Sequence, residues 1–219
     1  MAPIIMLVFM ALPQLLERMA FLSDVTLTTS DGKRLQLHSG ALASSSGFVL
    51  RAFEEQPGKK EFAVNETAEQ LSLALSHMYD NCEPAPITLD NVRGLAAFFS
   101  KYNVPKGSAP CDSFLSASVE LNAANLPEWI VLADHYKLAG FLEKCVTYAA
   151  THLDGLGMAA EEWMVQLMPA TLTTLVSAFI KYASSAKSLY EALRRIQLMA
   201  VGSTTSPVLP YGGLWHSLT

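Results

Sequence analysis

Between residues 23 and 53 the hydrophobic period of the chain changes once, and that change restricts its possible folds more than any other feature. Val25 and Leu27 alternate with Thr26 and Thr28, which is the period of a strand with one buried face. Leu35 and Leu37 repeat the pattern after the turn tetrad Ser30-Asp31-Gly32-Lys33, so the two segments are expected to pair as a hairpin. Helical spacing follows at once. Gly40-Ala41-Leu42-Ala43-Ser44 opens a small-residue helix, and Phe48, Val49, Leu50 and Phe53 carry its apolar face to a charged break at Glu54-Glu55. Such a start argues against a purely helical superhelix.

Upstream, residues 13–22 read as an amphipathic helix with Leu15, Leu16, Met19 and Leu22 on one face. Residues 1–11 form an apolar leader, about half the length of a membrane-spanning helix, with no preceding Lys or Arg to make the basic end of a signal peptide. A helix with so much apolar surface ahead of it is expected to seek another chain. The rival is a secreted or membrane-tethered protein whose leader is a processed signal. Downstream, Gln56-Pro57-Gly58-Lys59-Lys60 is a loop and Glu61-Phe62-Ala63-Val64 a third strand. Thr67-Ala68-Glu69-Gln70 then has capping-box spacing, and the helix it opens puts Leu71, Leu75, Met78 and Tyr79 on one side before Pro84 and Pro86 break the chain.

From Ile87 the chain is helical and self-similar. A shift of thirty-four residues lays Asn91 on Asn125, Leu95 on Trp129, Tyr102 on Tyr136, Val104 on Leu138 and Cys111 on Cys145, a repeated helical hairpin over 90–118 and 125–153. A weaker third copy matches Trp129 with Trp163, Phe141 with Leu175 and Tyr148 with Tyr182. The period is also that of tetratricopeptide arrays, but their Trp, Leu-Gly and Tyr pattern is absent here. One-sided helices are expected over about 159–168 and 172–199, and 201–219, rich in Ser, Thr, Pro and Gly, is expected to be a disordered tail.

Composition narrows function by exclusion. A net charge of −5 with scattered basic residues offers no general attraction to nucleic acid or to an anionic membrane. Three widely spaced cysteines, Cys82, Cys111 and Cys145, do not make a disulfide framework and suit a reducing compartment. Cys111 and Cys145 hold equivalent places in the repeat, as small apolar core residues would. The chain lacks a Gly-x-Ser-x-Gly elbow, a phosphate-binding Gly-rich loop and a His-Glu-x-x-His pair. Ser44, Ser45 and Ser46 with His38 and Asp24 supply triad residue types, yet these serines are expected inside a helix, away from any strand-to-helix elbow. His77 and Cys82 lack the further ligands of a closed zinc site. No catalytic residue, metal or cofactor is expected.

The same residues resemble the BTB/POZ domain, a small sheet capped by helical hairpins. The resemblance rests on Ser23-Asp24-Val25 entering the first strand, His38 closing the second, Leu42-Ala43-Ser44-Ser45-Ser46-x-Phe48, and Ala52-Phe53. It continues through the aromatic-rich segment ending in Tyr79-Asp80 and through Tyr102 in the closing helix pair. It implies an α+β BTB/POZ fold over 12–118 and an all-α extension like the BACK domain over 119–200. Asp24, His38, Tyr79 and Tyr102 fall at signature positions of the fold, and Leu15, Leu16, Met19 and Leu22 lie where family members form a homodimer. Phe53-Glu54-Glu55 matches by type the hydrophobic-x-Glu motif through which family adaptors contact a cullin scaffold, with Phe53 and Glu55 as the contact residues. One departure is Ser39, where many transcription-factor members carry Lys or Arg beside the His. Asp24 then needs another donor, and a corepressor pocket is disfavoured.

The implied function is a non-enzymatic dimeric adaptor, cytoplasmic or nuclear, that brings an unknown protein substrate to a cullin-based ubiquitin ligase. The alternative within binding proteins is a scaffold that only oligomerises. No kelch repeat, zinc finger or MATH domain accompanies the resemblance.

Overall fold

The structure, a computed structural model, describes residues 11–80, 82–152, 163–182 and Arg194. The leader, most of the stretch beyond residue 182 and the tail lie outside these. The chain divides into two compact units, Met1–Val119 with Tyr136–Phe141, and Glu120–His135 with Leu142–Thr219.

In the first unit, β1 (Val25–Thr28) and β2 (Arg34–Leu37) form the antiparallel hairpin, in the register Val25↔Leu37 and Leu27↔Leu35. Val25 and Leu37 are buried partners on the covered face. Gly32 takes φ +77°, which an L side chain would resist, and so closes the turn. The Thr29 hydroxyl donates to Asp31 (2.5 Å), and Asp31 also accepts from the Ala68 amide (3.0 Å), tying the turn to the helix that begins at Ala68, after the third strand. These bonds, the Thr29 hydroxyl's first, draw the Asp31 carboxyl down to about 2. Strand β3 (Glu61–Ala63) lies parallel to β1 on its other side, giving the order β2-β1-β3. A parallel neighbour needs a crossover, and the helices between β2 and β3 provide it.

Three boundaries differ from those expected. Helix α1 (Leu12–Arg18) stops early and gives way to a 3-10 turn, Ala20–Leu22. The helix expected from Gly40 to Phe53 is two, α2 (Ser39–Ser45) and α3 (Gly47–Glu55). Ser46, extended at φ −134°, separates them because its side chain accepts from the Val49 amide (3.1 Å) and so starts a new helix as its N-cap. Helix α4 (Ala68–Leu75) has the expected capping box of Thr67 and Gln70 but ends before Tyr79. The Ser76 hydroxyl donates to the Leu73 carbonyl (2.7 Å) and accepts from the Ala85 amide (2.9 Å), and the following turns tighten.

Helices α5 (Val92–Lys101) and α6 (Pro105–Ser118) complete this unit's core, where the Phe99 ring lies on Gly107. A Cβ at Gly107 would stand 2.4 Å from that ring. Asp112 accepts from the amides of Gly140 (2.9 Å) and Phe141 (2.7 Å), also in this unit.

The second unit holds α7 (Leu126–His135), most of α8 (Ala139–Thr151), a helical fragment at Trp163-Met164, and α9 (Pro169–Tyr182). Asp134, 2% exposed, accepts from the Met168 amide and the Thr171 hydroxyl, both at 2.5 Å, at the start of α9.

The internal repeat is visible in local detail. Asn91 accepts from the amide three residues before it (2.9 Å) and donates to the carbonyl five before (2.9 Å), and Asn125 does the same (2.8 and 2.9 Å). Asn103 and Lys137, thirty-four residues apart, are the non-glycine residues at positive φ, 50° and 56°, among those described. The third copy shares the burial spacing of the other two. Buried positions fall at the third, seventh and eleventh residues of each second helix: Gly107, Cys111 and Leu115, then Phe141, Cys145 and Ala149, then Thr171, Leu175 and Phe179. The expected pairing of Phe141 with Leu175 joins two fully buried positions, as does Cys145 with Phe179 at the same shift of thirty-four.

Candidate interaction surfaces

Leu15, Met19 and Leu22 wall a cleft of about 380 Å³ whose other lining includes Asp24, His38, Ser39, Tyr79 and Asp80. Its position follows from how α1 is held. Leu12 and Leu15 are buried, and α1 packs on α4. The Met19 carbonyl at the end of α1 accepts from His38 Nε2 (3.0 Å). A carbonyl only accepts, so in the neutral ring Nε2 carries the hydrogen and Nδ1 accepts from the Tyr79 hydroxyl (3.2 Å). The Tyr79 oxygen in turn accepts from the His38 amide (3.3 Å), and the two rings meet edge-on at 5.7 Å. Burial pushes the Tyr79 phenol up to about 12, which keeps it a donor.

The partner that Asp24 needs is Ser39 itself. The Ser39 hydroxyl (2.5 Å) and amide (2.7 Å) both donate to the Asp24 carboxylate, and they hold its pKa below the usual value. Asp24 is thus an exposed, satisfied anion at the cleft. Beside the cleft the apolar surface continues: Phe21 is 81% exposed and Leu22 54%.

Helix α3 presents a second surface. Its composition is strongly amphipathic, yet none of its nine residues is buried. Leu50 and Phe48 are exposed, Phe53 is half-buried, and Glu55 ends the helix in solvent. It is attached at its ends: Phe48 meets the Tyr102 ring edge-on (5.6 Å), and Phe53 packs on Phe62 (5.4 Å).

Residues 13–119 match the family model of the BTB/POZ domain. The chain carries a BTB/POZ domain. No curated protein matches the chain. A BTB/POZ domain is an interaction module, so the chain's α+β half supports a protein–protein adaptor.

Within the BTB/POZ domain, the cleft gathers Leu15, Met19, Leu22, Asp24, His38 and Tyr79 of the residues expected to matter, while Leu16, Phe53, Glu55 and Tyr102 do not line it. Tyr102 is buried and donates to Glu66 (2.7 Å), whose other oxygen pairs with Lys101 (2.7 Å). Burial, with the Glu66 contact adding, pushes its phenol well up. The hydroxyls of Ser44, Ser45 and Ser46 donate to the carbonyls of Ala41, Met78 and Tyr102. Burial pushes the thiols of Cys111 and Cys145 up to about 12, an environment that disfavours the reactive thiolate. Among the described residues, no three His, Cys, Asp or Glu side chains are placed to hold a metal ion, and no helix is long and apolar enough to cross a membrane. Sequence reasoning passed over Phe21, whose only signal was its place beside Leu22, and the capping role of Ser46.

Proposed function

We propose that this chain is a dimeric BTB/POZ adaptor that docks a cullin scaffold through α3 and presents a protein substrate for ubiquitination. The observation that carries this reading is α3, a strongly amphipathic helix with no buried residue. Apolar side chains that the chain leaves partly uncovered mark an interaction surface. Glu55, exposed at its end, supplies the acidic member of the hydrophobic-x-Glu motif, and Phe53, braced on Phe62, the apolar one. Dimerisation is assigned to the cleft wall of Leu15, Met19 and Leu22, with Phe21 beside it. The helices beyond residue 119 act as the BACK-like part. Buried free thiols suit the cytoplasm or nucleus.

The cleft alone also favours a second reading, a scaffold that dimerises without binding a cullin. Light scattering and capture of purified chain by the amino-terminal domain of a cullin separate the two. The adaptor reading expects a dimer mass and retention on the cullin, weakened by Glu55→Lys. A stable dimer with no retention at micromolar concentration leaves only the scaffold.

A further inference from the structure

With no residue fully buried, α3 is held by the ring contacts of Phe48 and Phe53 and by how its first turn is fixed. That first turn is fixed at the junction with α2. The Ser46 side chain, 1% exposed, works in both directions: it accepts from the Val49 amide (3.1 Å) and donates to the Tyr102 carbonyl (2.5 Å). The next amide, Gly47, donates to the Asn103 carbonyl (3.2 Å). Gly47 approaches so closely that a Cβ there would stand 2.7 Å from Asn103 Nδ2. Asn103 is left-handed at φ 50°, and this turn between α5 and α6 directs two successive carbonyls at the α2–α3 junction. Tyr102 is itself fixed by its bond to Glu66 and by the Phe98 ring at 4.5 Å.

We propose that Ser46 and the Tyr102–Asn103 turn form a clamp that sets the attitude of α3 and thereby places Leu50 and Glu55 for a partner. Ser46 is a positioning residue in this account and touches no partner. The clamp makes the docking helix answer to the α5–α6 hairpin: a change in that turn would re-aim α3 without altering any residue on its exposed face. The consequence for binding rests on the cullin reading above, while the clamp itself does not.

The test is hydrogen exchange on the full chain, with cullin affinity measured in parallel. Ser46→Ala is expected to speed exchange of the α3 amides by roughly tenfold, as loss of an N-cap should, with α4 and α5 unchanged. Ser46→Thr, which keeps the oxygen, is expected to restore protection. Gly47→Ala, which crowds Asn103 and leaves the cap in place, is a second probe should Ser46→Ala fail to fold, and it is expected to loosen the same amides. If wild type binds the cullin, Ser46→Ala weakens binding by roughly tenfold and Ser46→Thr recovers it. Protection of α3 unchanged in Ser46→Ala, or lost uniformly across the domain, overturns the clamp. Absence of cullin binding by wild type counts against the adaptor reading alone, because exchange still decides the clamp.

Discussion

Helices α1 and α3 carry the same kind of message in the sequence and keep it differently. Both have an apolar face, and both leave part of it uncovered. In α1 the face is shared: Leu12 and Leu15 enter the core, the Met19 carbonyl is held by His38, and Leu22 with Phe21 stays outside. In α3 nothing enters the core, and the attachments are at its ends. Apolar periodicity therefore shows that a face is covered by something, and burial shows whether the chain itself supplies the cover. A helix half anchored and half free suits a fixed interface, and one held at its ends suits a surface for a separate partner.

Substitutions at matched leucines should break the two helices apart most clearly. Leu15→Ala is expected to cost about 2–5 kcal/mol of folding stability, since it empties a buried site. Leu50→Ala, on the open face of α3, should stay within about 0.5 kcal/mol. Paired urea titrations measure both, and equal losses would show that α3 is as deeply seated as α1.

A smaller effect is expected at the cleft edge. Phe21→Ser with Leu22→Glu should weaken self-association by roughly tenfold or more, read as dissociation on dilution in sedimentation, with the protomer still folded. An unchanged dimer would move the interface away from α1.

The smallest effect concerns His77, which neither surface uses. It is buried against Phe99, with Nε2 unpartnered and its pKa lowered from 6.5 chiefly by burial. A histidine whose folded pKa is depressed leaves the unfolded chain binding more protons. Its contribution is therefore complete above about pH 6.5 and is lost as pH falls through that value toward the folded one. The urea midpoint should drop between pH 7.5 and 5.5, and His77→Gln should flatten that drop. An equal drop in the variant would assign it to other groups.

Much of this was legible in residues because the devices are local. Period two with Gly32 marked the hairpin, Thr67 and Gln70 the start of α4, and Asn91 and Asn125 the repeat. The parallel seat of β3 was not legible, because three residues carry no sign of which strand they will join. Three serines in a row suit a helix interior as well as a cap, and the Tyr102 carbonyl that the Ser46 hydroxyl meets is distant in sequence, so nothing local singles out Ser46 as the cap. For the sites, amphipathic spacing found Leu15, Met19 and Leu22. It missed Phe21, which falls off the face shared by Leu15, Leu16, Met19 and Leu22 yet is 81% exposed beside the cleft.

The most direct measurement crosses the two surfaces: molar mass and affinity for a cullin amino-terminal domain, each taken on Leu22→Glu and on Glu55→Lys. The account predicts that Leu22→Glu lowers the mass toward the monomer while each protomer still binds, and that Glu55→Lys keeps the dimer but binds at least roughly tenfold more weakly. Both variants losing both properties together, or Glu55→Lys binding as well as the unaltered chain, would contradict it.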